Sequence, residues 1–146
     1  MAGETNAMPQ PAARLAGLAR DLRVQAPRSV LAPLGPIPAV AARAVDKCRV
    51  ELVGQAGPYR YNCPLDRRFF GFAGLDADAL KARVATGADD RQLAEWMLRN
   101  ARHRSVADLV AWGKRFRRNP LLRLLDLDDW WHTQRHRRDR GPGAGG

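Results

Sequence analysis

Residues 59–70 read YRYNCPLDRRFF, and this segment joins the predicted start of a helix to a dense group of polar side chains. Pro64 suits the first helical position, because proline has no N–H to leave unpaired there and its φ is preset. Cys63 is then predicted to be the N-cap residue, with Asp66 at position N3. A helix N-terminus and nearby cations such as Arg67 favour the thiolate form of cysteine. The segment therefore predicts an ionisable thiol at the positive end of a helix. The alternative is a small buried N-cap residue that is held for packing.

Two tyrosines precede the proline, and aromatic rings follow it. Tyr59 and Tyr61 alternate with polar residues, which predicts a short extended segment near 58–62. Their hydroxyls are suited to donate hydrogen bonds to a developing oxyanion. The alternative is a pair of half-buried rings with no catalytic role. The apolar positions after the proline recur at helical spacing and indicate a core face. They are Leu65, Phe69 and Phe72.

The rest of the chain is predicted to form further helices with clear start and stop signals. Asp76 is a predicted N-cap, and Asp89 and Ser105 each begin a predicted capping box. Four proline and glycine positions between 33 and 38 exclude regular helix and predict a structured loop. The predicted helices cover about 13–24, 38–53, 64–72, 76–87, 89–101, 105–118 and 121–136.

The expected fold class is mainly α, a single compact domain of about six helices over residues 13–136. Its length of 146 residues suits one core. Residues 1–12 are predicted to be a disordered lead-in, and 137–146 a disordered basic and glycine-rich tail. No apolar run is long enough to span a membrane, so no membrane partner is expected. Without a signal peptide, and with two cysteines expected to be free thiols, the chain is predicted to be cytoplasmic.

Three charged residues outside the opening segment are candidates for the same site. Asp46 and Lys47 lie on the predicted helix 38–53, whereas Cys48 falls on its apolar face and is predicted to be an inert core thiol. Lys47 has two interpretations: a surface lysine that snorkels to solvent, or a lysine in a low-dielectric pocket that serves acid–base or Schiff-base chemistry. Arg28, in the proline-rich loop, is either a ligand-binding residue or an exposed arginine without a role.

The charge balance is strongly positive, with a net charge of +10 at pH 7. Such a balance is typical of proteins that bind nucleic acid, anionic membranes or acidic small molecules. A compositional interpretation is also open. Of the 25 basic residues only three are lysine, and alanine and glycine are abundant, which is what a GC-rich genome favours on any protein surface.

Five motifs follow one another along the chain. They are Pro27-Arg28-Ser29, Val45-Asp46-Lys47, Tyr61 to Phe70, Gly74-Leu75-Asp76 and Leu124 to Asp129. Together they resemble the bacterial family catalogued as domain of unknown function 5069. The resemblance covers roughly residues 18–132, and the Asn-Cys-Pro-Leu-Asp segment is its most specific part. Between Trp112 and Leu121 the chain is shorter than the family usually is. The resemblance implies organisation rather than mechanism, because the activity of the family is unknown.

The first functional hypothesis is a small cofactor-independent enzyme. It would use acid–base or thiol chemistry on a small anionic, carboxylate-bearing metabolite, in an isomerase, cyclase or lyase type of reaction, for example in natural-product biosynthesis. No phosphate-binding loop or dinucleotide fingerprint is present, so no cofactor is expected. The predicted catalytic residues are Cys63, Asp66, Lys47 and Tyr61. The predicted substrate-binding residues are Arg28, Asp46, Tyr59, Asn62 and Arg67.

The second hypothesis is a basic module that binds nucleic acid or another protein without catalysis. Arginines between 99 and 118 form a positive stretch that is suited to phosphates, and Trp112 and Phe116 are suited to stack on bases or to fill the core. A metal site is not expected. His132 and His136 have helical zinc spacing but no third ligand, and the acidic side chains at 126, 128 and 129 are better suited to salt bridges.

Overall fold

The computed structural model describes residues 10–102 and 105–119, and this part of the chain contains six helices and no strand. The mainly α fold class is thereby confirmed. One isolated bridge, between Leu34 and Ile37, closes the proline-rich loop. No described helix has both the length and the apolar character needed to cross a bilayer. The helices are α1 Pro11–Leu18, α2 Ala41–Val53, α3 Pro64–Ala73, α4 Ala77–Ala85, α5 Asp90–Asn100 and α6 Val106–Arg117.

Helix α2 is the centre of the fold. Every residue from Ala41 to Val50 is buried, on all sides of the helix. Helices α1, α3 and α4 pack against it. A helix that is buried all round is normally apolar throughout, yet α2 carries four buried charged side chains. They are Arg43, Asp46, Lys47 and Arg49. These charges therefore require partners from the surrounding elements.

The predicted helix starts agree with the structure because each depends on a local capping interaction. Asp76 accepts the Ala79 N–H at 2.8 Å. Asp89 and Gln92 form a reciprocal capping box, as do Ser105 and Asp108. Each box supplies acceptors for N–H groups that would otherwise be unpaired at the helix start. These contacts set where α4, α5 and α6 begin.

Two local predictions differ from the structure. Helix α1 begins at Pro11, inside the predicted lead-in, and ends at Leu18 rather than Val24, because Ala19 turns to extended backbone. The segment 58–62 contains turns rather than an extended piece. At its end Asn62 has φ +59°, in the left-handed region that asparagine tolerates better than most residues.

Helix α6 packs on α3 through aromatic rings. The Trp112 ring stacks on Phe72 at a centroid distance of 5.6 Å and on Phe116 at 5.1 Å. Gly113, also on α6, is buried against the Pro38 side chain. Several predicted features lie outside the described residues. They are most of the lead-in, the helix 121–136 with its two histidines and three acidic residues at 126, 128 and 129, and the tail 137–146.

Candidate functional site

A lysine, a thiol and a carboxylate meet where α2 packs against the start of α3. Lys47 lies in the middle of α2, and Cys63 and Asp66 are the N-cap and N3 residues of α3. Pro64 occupies the first helical position, as predicted, and so fixes how the chain enters the helix. Because the Cys63 N-cap and the N3 carboxylate face the same end of α3, both come within reach of one lysine.

The three side chains make direct contacts. The Lys47 Nζ lies 2.8 Å from Asp66 Oδ2 and donates a hydrogen bond to Cys63 Sγ at 3.2 Å. The Lys47 side chain is 4% exposed and that of Asp66 is fully buried. Cys63 is half-buried, and so is less enclosed than the other two residues. Of the two interpretations of Lys47, the structure supports the buried lysine over the surface lysine.

The two oxygens of Asp66 have different surroundings. Oδ2 accepts both the Lys47 ammonium and the backbone N–H of Cys63, the latter at 3.3 Å. Oδ1 is buried, and no described residue donates a hydrogen bond to it. An unpaired buried carboxylate oxygen has a desolvation cost. Asp66 therefore holds a spare acceptor position beside the lysine and the thiol.

The two cysteines have different surroundings. Cys63 lies against the Lys47 ammonium, at the N-terminus of α3. The contrast within the chain is Cys48, which is fully buried on α2. Burial raises the pKa of the Cys48 thiol to about 12. Cys48 is thus an inert core thiol, as its position on the apolar face of the helix predicted.

The neighbouring predicted site residues have mainly structural contacts. The Tyr61 hydroxyl donates a hydrogen bond to the Ala77 carbonyl at 2.7 Å, and burial raises the pKa of Tyr61 above its ordinary value. The Tyr59 ring lies under the guanidinium of Arg43 at 5.7 Å, a cation–π contact. Asn62 is half-buried in the turn, and Arg67 is exposed on the first turn of α3.

A second ionic cluster lies around a different set of α2 residues. Arg28 donates to Asp46 from its backbone N–H at 2.8 Å and from its guanidinium at 3.0 Å. Its guanidinium also lies 2.7 Å from Asp90. Arg49 contacts Asp90 at 2.9 Å and the Ala88 carbonyl at 3.1 Å. The cluster thus ties the proline-rich loop, α2 and α5 together.

The charges of this second cluster neutralise one another. Burial alone lowers the pKa of Arg28, but the hydrogen bonds and charges of Asp46 and Asp90 outweigh it and raise that pKa above its ordinary value. Burial raises the pKa of Asp90, but Arg28 and Arg49 outweigh it and lower that pKa below 3.8. An open cavity of about 470 Å³ adjoins the cluster. Its lining is Leu18, Arg20, Arg28, Asp46, Arg49, Asp89, Asp90 and Arg91.

The structure therefore divides the nine predicted site residues into separate groups. Lys47, Cys63 and Asp66 touch one another, whereas Arg28 and Asp46 pair with each other in the second cluster. Sequence reasoning missed Asp90 and the pairing role of Arg49, which are 41 positions apart. No motif links two residues at that separation, so only the packing of α5 against the rest reveals the contact.

Potential metal ligands do not cluster in the described part of the chain. Across residues 10–102 and 105–119, no group of three or more histidine, cysteine, aspartate or glutamate side chains is arranged to hold a metal ion. The Lys47–Cys63–Asp66 site offers one thiol and one carboxylate, and its third member is a cation. A lysine ammonium has no lone pair to donate, so this trio is suited to proton transfer rather than metal binding.

Comparison with known proteins identifies a family whose description names no function. The family model described as Domain of unknown function (DUF5069) matches residues 24–141. The matched range includes the Lys47–Cys63–Asp66 site and the second ionic cluster. No curated protein matches the chain.

Proposed function

The chain belongs to the DUF5069 family, and we propose that it is a small enzyme that uses Cys63 as an acid–base or nucleophilic thiol. The observation that carries this proposal is the Lys47 ammonium, buried between the Asp66 carboxylate and the Cys63 sulfur. Catalytic sites often hold ionisable groups in buried contacts of this kind. The half-buried sulfur is the member of the trio that meets substrate.

Each member of the trio has a distinct role in this proposal. Cys63 removes a proton from the substrate or attacks it, since the thiolate is the reactive form of cysteine. Lys47 stabilises that thiolate and then the anion that forms on the substrate. Asp66 orients Lys47 and acts as a positioning residue. The Tyr61 hydroxyl is already bonded to a backbone carbonyl, so its role is to support the turn before Cys63.

The proposed substrate is a small carboxylate-bearing molecule, and the reaction is an isomerisation, cyclisation or elimination that needs no cofactor. Two exposed cations, Arg67 and Arg68, lie on the first turns of α3 and are suited to hold a carboxylate near Cys63. We further propose a cytoplasmic location, which the two free thiols support. A natural-product pathway in a GC-rich bacterium is the setting proposed for such chemistry.

A proton-exchange assay tests the enzyme without a known product. Wild-type protein is incubated in D₂O with a panel of small 2-oxo, unsaturated and hydroxy carboxylates, and loss of C–H signals is followed by proton NMR. We expect Cys63→Ala to abolish the exchange that wild type catalyses, because the base is gone. Cys48→Ala is the matched control and should retain exchange. Equal exchange by both cysteine variants would reject the thiol role.

Alkylation by iodoacetamide tests the reactivity of the thiol directly. Below neutral pH, Cys63 should label much faster than Cys48, because Lys47 and the helix terminus stabilise its thiolate while Cys48 is sealed in the core. Lys47→Met combined with Asp66→Leu, which removes the cation without leaving a buried unpaired carboxylate, should slow labelling of Cys63 at low pH. Cys63 labelling no faster than an ordinary exposed cysteine, with no response to Lys47, would contradict the proposal.

A second candidate function is binding of single-stranded nucleic acid on α6. Trp112 and Phe116 stack beside an open cavity of about 400 Å³, and Arg68 and Arg115 are among its lining residues. Aromatic rings with flanking arginines suit stacked bases and their phosphates. Anisotropy of a labelled oligonucleotide should show binding that weakens steeply with salt and survives Cys63→Ala. Arg115→Glu should weaken it more than Arg99→Glu, an exposed control on α5; equal effects would reject this surface.

A further inference from the structure

The contact between Lys47 and Cys63 supports a chemistry that is separate from catalysis. The Nζ and Sγ atoms are 3.2 Å apart, which is van der Waals contact, and no intervening group separates them. Cys63 is half-buried, whereas the Lys47 side chain is 4% exposed and is held in place by Asp66. We propose that oxidation by a peroxide joins Cys63 covalently to Lys47, as a reversible modification site.

The reaction balances in two steps. In the first, the Cys63 thiolate attacks a peroxide oxygen. The O–O bond breaks, and Cys63–SH plus H₂O₂ gives Cys63–SOH plus H₂O. In the second, the Lys47 amine attacks the sulfur of this sulfenic acid. An N–S bond forms, the S–O bond breaks, and Cys63–SOH plus Lys47–NH₂ gives Cys63–S–NH–Lys47 plus H₂O. Peroxide is the only oxidant required, and sulfur is the atom oxidised.

Asp66 makes the second step possible. A protonated lysine has no lone pair to attack with, so a base must first accept a proton from Nζ. Asp66 Oδ2 lies 2.8 Å from that nitrogen, and Oδ1 is buried without a described donor. Transfer of the proton from the ammonium to the carboxylate frees the lone pair of the Lys47 nitrogen. The neutral amine then faces the sulfur.

The contact between the Lys47 nitrogen and the Cys63 sulfur favours this outcome over further oxidation. A sulfenic acid in open solvent meets more peroxide or another thiol, and is oxidised further or forms a disulfide. Here the nearest nucleophile is an amine already in contact with the sulfur. The crosslink would tie α2 to the start of α3 and occupy both reactive atoms. A thiol reductant attacks the sulfur, breaks the N–S bond and returns the lysine amine.

Intact mass spectrometry with peptide mapping tests the crosslink. Full-length protein is treated with one to a few equivalents of H₂O₂, with no substrate present, and then digested. The expected product is about 2 Da lighter than the reduced protein and contains one peptide that links Lys47 to Cys63. Dithiothreitol should restore the starting mass. Because no turnover is measured, the result is independent of whether the proposed enzyme activity exists.

Two variants separate the crosslink from its alternatives. A Cys48–Cys63 disulfide has the same mass change, so the product must persist in Cys48→Ala. Lys47→Arg keeps a cation beside Asp66 but should not crosslink; it should instead accumulate a sulfenic acid at Cys63 that dimedone traps, about 16 Da heavier before trapping. Dimedone trapping or sulfinic acid at Cys63 in wild type, without a Lys47-linked peptide, would overturn the proposal. So would loss of the crosslink in Cys48→Ala.

Discussion

The ion pair between Lys47 and Asp66 is buried at both ends, so desolvation opposes much of its Coulomb attraction. Replacing such a pair by well-packed apolar residues is often neutral or stabilising, whereas removing one partner leaves an uncompensated charge. Stability alone therefore gives little reason for a cation and an anion at this position in the core. Their contact with the sulfur of half-buried Cys63 is the basis of the proposed thiol chemistry.

Removal of the lysine alone should be strongly destabilising. Lys47→Met leaves Asp66 buried without its cation, and we expect the free energy of unfolding in urea to fall by about 3–5 kcal/mol. Lys47→Met combined with Asp66→Leu should recover most of this loss. About 1 kcal/mol should remain missing, because Asp66 also caps the Cys63 N–H. A double variant no more stable than the single one would contradict the uncompensated-charge explanation.

Asn62 was predicted to bind substrate. In the structure it occupies a left-handed backbone conformation, which asparagine tolerates better than most residues. Its φ of +59° costs a typical side chain about 1–2 kcal/mol, and glycine nothing. Asn62→Gly should therefore keep both thermal stability and the iodoacetamide labelling rate of Cys63. Asn62→Val should lose stability and slow labelling, because the turn that orients the N-cap is strained. Equal behaviour of the two variants would exclude a conformational role.

At the scale of elements, local signals were sufficient wherever a helix begins at a cap. The starts of α3, α4, α5 and α6 depend on residues within four positions of one another, and all were predicted from the sequence. The environment of α2 could not be predicted in this way. Its charged residues were expected to lie off the apolar face, but they are buried because their partners come from other elements, such as Asp66 on α3 and Asp90 on α5. The spacing of apolar residues along one helix gives no information about such pairs.

The packing of α6 against the proline-rich loop depends on a glycine. A Cβ at Gly113 would overlap the Pro38 ring, which is rigid and cannot turn aside. Gly113→Ala should lower the free energy of unfolding by about 1–3 kcal/mol, as overpacked sites do. Gly71→Ala is the matched control, because this exposed glycine in α3 has nothing near its added methyl group. It should gain about 0.5–1 kcal/mol from helix propensity. If both substitutions changed the free energy of unfolding in the same direction, the steric explanation would be contradicted.

At the scale of the whole molecule, α2 contributes residues to two ionic clusters that have different partners. The residues of the Lys47–Cys63–Asp66 site come from adjacent elements and meet at a helix start, so sequence reasoning could select all three before their contact was known. In the second cluster, Asp90 pairs with Arg28 and Arg49, which lie 62 and 41 positions earlier in the chain. Sequence reasoning assigned Arg28 and Asp46 to a substrate site. Their mutual pairing indicates that this cluster holds the loop, α2 and α5 together.

The pairing of Asp90 predicts how global stability responds to acid. Because Arg28 and Arg49 hold the pKa of Asp90 below 3.8 in the folded protein, the unfolded chain binds more protons near that pH. The stabilisation is therefore fully present above about pH 4 and is lost as pH falls through the lower, folded pKa. The free energy of unfolding of wild type in urea, measured from pH 6 to pH 2, should fall as this contribution is lost.

The matching variant isolates that contribution from general acid denaturation. Asp90→Asn cannot ionise, so it should be less stable than wild type at pH 6. The difference should shrink as pH falls through the folded pKa of Asp90, because protonation makes the wild-type side chain neutral as well. Glu95→Gln, an exposed carboxyl on the same helix, should show no such pH-dependent difference. If the Asp90→Asn difference stays constant with pH, its cause is the shape or packing of the side chain. The ionic link between the loop, α2 and α5 would then contribute nothing through charge.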